Sequence, residues 1–313
     1  MKRFPRRRVF SPSVDAIWGA DLLDIHQYAS VNNRYTFILV LIDVFSKYAW
    51  ARPLKNKTGS SVSRALEEVF NSSKRCPYRL WTDRGTEFYN QNVENMLKRY
   101  KVHLYSTFNE PKSMIAERFI RTLRGKIESN FILSQNTVWY DILPELIREY
   151  NNSYHRSISM TPNEASKLCN YQKVYDSLYN RPNQKSLKRV QKAFHIGDKV
   201  RISVNKRLFE KGSTSNWSEE IFEISNVVKS TNPTVYKIKD LADEEIKGHF
   251  YKEQLQKTEQ SIYRIERVIR KRRKRDGTQE ALVKWVGYGD KFNSWMPAAD
   301  ILKSGTALQT YNS

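Results

Sequence analysis

Three carboxylates, Asp21, Asp83 and Glu117, are the residues of this sequence best suited to do chemistry together. Asp83 follows an apolar-flanked strand end, Leu80-Trp81-Thr82, on a Gly-containing turn. Glu117 comes 34 positions later, on a helix. One crossover of strand, helix, strand and loop can bring two acids that far apart in sequence side by side. Asp21 joins them from the upstream segment Trp18-Gly19-Ala20-Asp21. Three acidic groups held close repel one another and are costly to assemble. The usual reason for such a cluster is a pair of divalent cations about 3.5–4 Å apart, polarising a phosphodiester and activating the attacking oxygen. Hard oxygen donors with no His/Cys set nearby point to two Mg²⁺ or Mn²⁺ ions rather than zinc.

Other acids compete for this role. Asp24 stands three residues after Asp21, so on a strand it faces the opposite side and reads as a local cap or pairing group. Asp15 precedes the strand and Asp43 ends one, which suits turn and hydrogen-bonding duties. Glu87 reads as a surface or helix-start acid. His26 and His103 read as strand-end packing residues rather than ligands.

The elements that must position the three acids follow from hydrophobic pattern. Residues 16–25 and 48–54 read as strands, and YTFILVLID, residues 35–43, suits a fully buried central strand. Thr58 is placed to cap a helix running through Phe70, with Val62, Ala65, Leu66, Val69 and Phe70 on one face. The Asp83 strand, a helix around 93–100, a short strand from Val102 to Ser106 and the Glu117 helix come next. A further helix is expected over 138–150. Three meandering strands followed by βαβα units imply a mixed sheet with helices on both faces.

The motifs W-x-x-D, T-D-x-G-x-E-F and x-x-E-R-F-x-R-T-L stand in order here, as Trp18 to Asp21, Thr82 to Phe88 and Ile115 to Leu123. In this the sequence resembles retroviral-type D,D-35-E integrases, above all those of Maverick/Polinton transposons, over roughly residues 6–301. The resemblance implies an RNase H-like catalytic core, metal-dependent 3′-end processing and strand transfer of DNA, and assembly as a homo-oligomer. Asp21, Asp83 and Glu117 take the catalytic and metal-binding positions. Arg121 and Arg124 share the helical face of Glu117, where such proteins bind the DNA end; Arg118 has a solvated face as its competing reading. The loop Phe108 to Met114 would flank the scissile phosphate, with Lys112 and Ser113 as DNA contacts. Tyr150, Asn151, His155 and Pro162 match the close of the family's core and read as structural, Pro162 opening a helix. Relatives carry a His/Cys zinc module before the core; the few His and Cys residues here lack its spacing. A DNA- and chromatin-binding protein without catalysis is the alternative function.

Beyond a polar linker, Phe194 opens a new β pattern. A turn feeding a strand over 195–202, then short strands at 217–228, 234–240 and 250–255, suggest a small barrel, resembling the SH3-like DNA-binding tail of the same integrases. The last module, from Tyr263, has two strands around an Asp276-Gly277 turn, then W-x-x-Y, N-S-W-x-P and a helix, and looks like a chromodomain. Tyr263, Trp285 and Tyr288 match the three aromatic positions that hold a methylated lysine by cation–π attraction; packing of the small core is the competing reading, and Trp295 is assigned to that core. Arg270 to Arg275, RKRRKR, with Arg272, Arg273 and Lys274 at its centre, reads as a DNA contact or nuclear import signal. The expected layout is therefore a basic arm at 1–14, catalytic core 15–168, linker 169–192, barrel 193–258, chromodomain 260–304 and tail 305–313.

Composition agrees with nucleic acid as partner. The 313 residues hold 54 Lys and Arg against 33 acidic residues, a formal charge of +21, which favours a polyanion held by phosphate contacts. Two cysteines, Cys76 and Cys169, exclude a disulfide framework. No run of about 18 apolar residues is present, so no membrane span is expected. A nuclear location and a methylated histone tail as second partner follow from the chromodomain resemblance.

Overall fold

The computed structural model describes residues 9–107, 114–180, 193–204, 216–230, 233–259, 262–304 and 307–311; the expected DNA contacts Lys112 and Ser113 fall outside them. The chain divides near residue 188 into two compact units.

The first unit is built on a five-stranded sheet. Its strands are β1 (Ile17–Asp24), β2 (Phe37–Asp43), β3 (Ala49–Leu54), β4 (Arg79–Trp81) and β5 (His103–Tyr105), in the order β3-β2-β1-β4-β5. The meander β1-β2-β3 is antiparallel, while β4 and β5 run parallel to β1, so the sheet is mixed. Strand alternation divides its side chains between two cores. Trp18, Ala20, Leu39, Leu41 and Leu80 pack under α1 (Gly59–Ser73) and α2 (Gln91–Arg99). Leu23, Ile25, Ile38, Val40 and Ile42 pack under α3 (Met114–Ser134) and α4 (Leu143–Asn152). Each fully buried side chain of this kind contributes about 1.5–3 kcal/mol. Helices thus cover both faces, as the hydrophobic pattern requires.

Local signals explain the helix starts. The Thr58 side chain accepts a hydrogen bond from the Ser61 amide, and Asn90 does the same for Val93. Pro162 opens α5 (Pro162–Ala165), where Thr161 and Glu164 cap each other reciprocally. The helix expected from 138 instead begins at Leu143. The buried Asn32 amide holds the preceding loop, accepting from the Trp139 and Tyr140 amides at 2.7 and 3.1 Å and donating to the Thr137 carbonyl. Those backbone groups are satisfied outside a helix. After α5, α6 (Tyr171–Tyr179) supplies the helical part of the linker.

The second unit holds two sheets. Strands β6 (Lys199–Ile202), β7 (Phe222–Val228), β8 (Val235–Lys239), β9 (Phe250–Tyr251) and β10 (Leu255–Lys257) form an antiparallel sheet in the order β10-β6-β7-β8-β9. Its two edge strands are joined by a 3₁₀ turn of only three residues, Lys252–Gln254. Four strand gaps of about 4.8 Å could not be crossed so cheaply in a flat sheet, so the sheet coils back on itself around Val200, Phe222, Ile224, Tyr236 and Ile238.

The second sheet contains β11 (Ile262–Arg273), β12 (Gln279–Trp285), β13 (Ser294–Pro297), β14 (Ile301–Ser304) and β15 (Ala307–Tyr311), ordered β13-β12-β11-β15-β14. The expected Asp276-Gly277 turn joins β11 to β12, with Gly277 at φ +85°. The expected C-terminal helix is absent. Ala298–Asp300 makes one 3₁₀ turn, and the chain then returns as two strands, β15 pairing with Ile262–Ile265 of β11. The edge of β11 takes a strand instead.

Candidate active site

Asp21 lies on β1 and Asp83 just beyond the end of β4. β1 pairs with β4 in parallel, Gly19 opposite Trp81, and each acid follows that pair by two residues. Asp21 shares its side of β1 with Leu23 and Ile25, the side packed on α3. Trp81 faces the same way, packing with Ile17 and Ile115, and Ile115 lies two residues before Glu117 in the first turn of α3. The three acids therefore come from three separate elements: β1, the loop after β4 and the first turn of α3. Asp21 and Asp83 are part-buried and Glu117 is exposed. Asp21 Oδ1 accepts from the Leu22 amide at 2.8 Å, and Asp83 Oδ1 accepts from the Gly85 amide at 3.2 Å. The donors are all hard oxygens, the set that suits Mg²⁺ or Mn²⁺. Among the described residues, however, no three His, Cys, Asp or Glu side chains stand close enough to form a ready-made ion site.

The competing acids have structural duties. Asp15 pairs with Arg75 at 2.7 Å and accepts from the Trp18 indole at 2.9 Å. Asp43 is fully buried and accepts from the Ser46 amide and hydroxyl; burial pushes its carboxyl above the ordinary range. Asp24 binds the amide and ring of His26. Glu87 folds back over Gly85, leaving no room there for a Cβ until its carboxylate swings away.

Arg118, Arg121 and Arg124 are all exposed on α3, and Arg124 reaches back to the Asp24 carbonyl at 3.3 Å. Beside them the structure adds a cation that the sequence pattern did not single out. Lys47, in the β2–β3 turn at φ +63°, donates to the Val44 carbonyl. Burial lowers its pKa to about 8, against the attraction of Asp43 and with the help of Arg118. The His155 imidazole is held below its ordinary value by burial and by Lys47. Nothing in the composition of this turn distinguishes Lys47; its position under Arg118 is a tertiary fact.

In the second unit Tyr263 stands edge-on to both other expected cage rings. Its centroid lies 6.0 Å from Trp285 and 6.1 Å from Tyr288, at interplanar angles of 71° and 70°. Tyr288 is 7% exposed, and burial raises its hydroxyl pKa to about 12. Trp295 does not join the small core to which the pattern assigns it. Trp285 packs with Met296 against Ile265, Ala281 and Val283, whereas Trp295 lies on the opposite face of the sheet beneath the Arg272 guanidinium, 4.0 Å from its ring centre. Arg272 and Lys274 both pair with Glu280, at 2.7 and 2.6 Å, so two of the hairpin's six cations are already matched. Arg273 donates to the Gly277 carbonyl.

Comparison with known proteins bears on these geometries. Residues 12–108 match the Integrase core domain, and residues 263–313 match the Chromo (CHRromatin Organisation MOdifier) domain. The first match stops short of Glu117. A transposon-derived protein of Caenorhabditis elegans is 31% identical over 67% of this chain and 68% of its own length. The chain belongs to the transposon-derived integrase family. The integrase is also 28% identical to the retrovirus-related Pol polyprotein from transposon 412 of Drosophila melanogaster, over 55% of the chain and 13% of the polyprotein. Its fold resembles a chain of the simian T-cell lymphotropic virus intasome bound to a PP2A regulatory subunit, with a TM-score of 0.54 and 14% identity, covering 82% of this chain and 84% of that one. The mixed sheet with helices on both faces is thus an RNase H-like core, and residues 263–313 belong to a chromodomain.

Proposed function

We propose that the integrase is an active polynucleotidyl transferase of the Maverick/Polinton type that processes DNA 3′ ends and joins them to target DNA. The observation that supports this reading is the parallel pairing of Gly19 with Trp81, two residues before Asp21 and Asp83, within a chain that matches the Integrase core domain. Asp21, Asp83 and Glu117 would hold two divalent ions, Mg²⁺ or Mn²⁺. When bound, such ions polarise a phosphodiester and favour the deprotonated attacking oxygen. The chain's own residues bind and orient the substrate. Arg118, Arg121 and Arg124 offer phosphate contacts along α3, and Lys112 and Ser113 would contribute from the preceding loop. The coiled sheet acts as an SH3-like DNA-binding barrel, with Arg272, Arg273 and Lys274 adding phosphate contacts. The ring cluster of Tyr263, Trp285 and Tyr288 receives a methylated lysine of a histone tail, directing a nuclear homo-oligomer to marked chromatin.

The test is a strand-transfer assay with Mg²⁺ and DNA ends from the element that flanks the gene. Wild-type protein should join ends to target. Asp83→Asn should lose joining while keeping or gaining DNA affinity, because a negative charge beside phosphate is removed. The second reading, a DNA- and chromatin-binding protein without catalysis, is favoured by the separation of the three carboxylates. It predicts undiminished DNA binding with no joining by either protein.

A further inference from the structure

The Tyr288 side of the ring cluster is closed by the coiled sheet rather than by the chromodomain itself. The Ile221 amide donates to the Tyr288 hydroxyl at 3.1 Å. Gly287, at φ +83°, passes so close beneath the same segment that a Cβ there would lie 2.9 Å from the Glu219 Cβ and 3.5 Å from the Glu220 nitrogen. The segment Glu219–Ile221 therefore forms a wall against Gly287 and Tyr288.

The charges along this seam are matched with one exception. Arg264, next to Tyr263, pairs with Glu219 at 3.2 Å. Lys291 pairs with Asp240 at 2.6 Å and also binds Glu244. Glu220, between Glu219 and Ile221, is part-buried, and no counter-ion is paired with its carboxylate among the described residues. Burial pushes that carboxyl up, Asp240 adds to the rise and Lys291 opposes it. Arg201 also lies within electrostatic reach of the Tyr288 hydroxyl, as does Glu220. A part-buried carboxylate beside aromatic rings is costly unless a cation meets it.

We propose that Glu220 is the polar wall of the ring cluster and that the site prefers mono- or dimethyl-lysine to trimethyl-lysine. This rests on reading Tyr263, Trp285 and Tyr288 as a methyl-lysine cage. The rings attract all methylated ammonium groups, because the attraction depends on charge and desolvation. Only the lower states keep an N–H, which can donate a charge-assisted hydrogen bond to a carboxylate. A trimethylammonium offers no donor and would leave the part-buried Glu220 carboxylate without a hydrogen bond from the ligand. Selectivity therefore arises where the two modules meet, from a residue outside the chromodomain.

The experiment uses the full chain against an array of histone-tail peptides, each lysine presented unmodified and in its three methylated states. Wild-type protein should bind the mono- or dimethyl form of its preferred lysine several-fold more tightly than the trimethyl form. Glu220→Gln, close in shape, should weaken dimethyl binding about tenfold and trimethyl binding much less, levelling the two. Methyl-dependent binding in which the trimethyl form is bound as well or better, or in which Glu220→Gln changes nothing, overturns the role of Glu220 and leaves the cage intact. No methyl dependence on any peptide overturns the cage reading and this inference with it. Tyr288→Phe, which keeps the ring but loses the bond from Ile221, should retain methyl dependence with weaker selectivity.

Discussion

Asn151 grips the backbone of Ala49 from both sides. Its amide oxygen accepts from the Ala49 N–H at 2.9 Å, and its amide nitrogen donates to the Ala49 carbonyl at 2.9 Å. Asn151 is the last buried residue of α4, and Ala49 opens β3, the edge strand of the catalytic sheet. One side chain thereby completes hydrogen bonds that a neighbouring strand would otherwise supply and fixes α4 to the sheet. Asn151→Ala leaves a buried donor and acceptor unpaired, each costing about 1–3 kcal/mol. Urea unfolding followed by tryptophan fluorescence should show a loss of roughly 2–4 kcal/mol. A loss below about 0.5 kcal/mol, the usual surface value, would remove Asn151 from this structural role.

Lys47 makes stability depend on pH in a definite direction. Its folded pKa of about 8 lies below the ordinary 10.5. The folded state therefore holds this proton less tightly than the unfolded chain does. The burial cost is present in full below pH 8 and disappears as pH rises from 8 to 10.5. Lys47→Met should be more stable than wild type at pH 7 by about 2 kcal/mol after allowance for solvent screening. The gap should close by pH 10.5. Parallel unfolding curves for the two proteins across that range would show that Lys47 is not desolvated.

The basic hairpin should divide into two groups by function. Arg272 and Lys274 share Glu280, whose carboxyl is held low by hydrogen bonds from Lys274 and then Arg272. Arg270, Lys271, Arg273 and Arg275 have no such carboxylate partner among the described residues. Replacing those four with Gln should flatten the slope of log K against log salt by up to about 0.9 for each phosphate no longer neutralised. Replacing Arg272 and Lys274 should flatten it less, but should lower the melting temperature, since Arg272 also covers Trp295. Equal slopes for the two variants would show that Glu280 does not set the division.

Much of the catalytic unit was legible because its signals are local. The apolar run of β2, the Thr58 cap, and Pro162 at the first position of its helix each depend on neighbouring residues. The Asn32 latch was not legible, because it joins residues more than a hundred positions apart. That Trp285 and Trp295 lie on opposite faces of their sheet was not legible either, because it depends on the register of β12 against β13, with Leu282 opposite Trp295. The helix expected at the C-terminus was overruled because the free edge of β11 offered pairing that the local sequence does not reveal.

The sequence by itself determined the acids, the cations and the periods of the strands and helices, since these are properties of residue type and spacing. Only the tertiary structure decided which of them meet. The parallel pairing of β1 with β4 sets Gly19 opposite Trp81, and a shift of one residue would have turned one strand's side chains to the other face. The packing of Glu219–Ile221 on Gly287 closes Tyr288 away from solvent. Both outcomes depend on contacts between segments distant in the chain, where the free energy of packing and pairing outweighs any local preference.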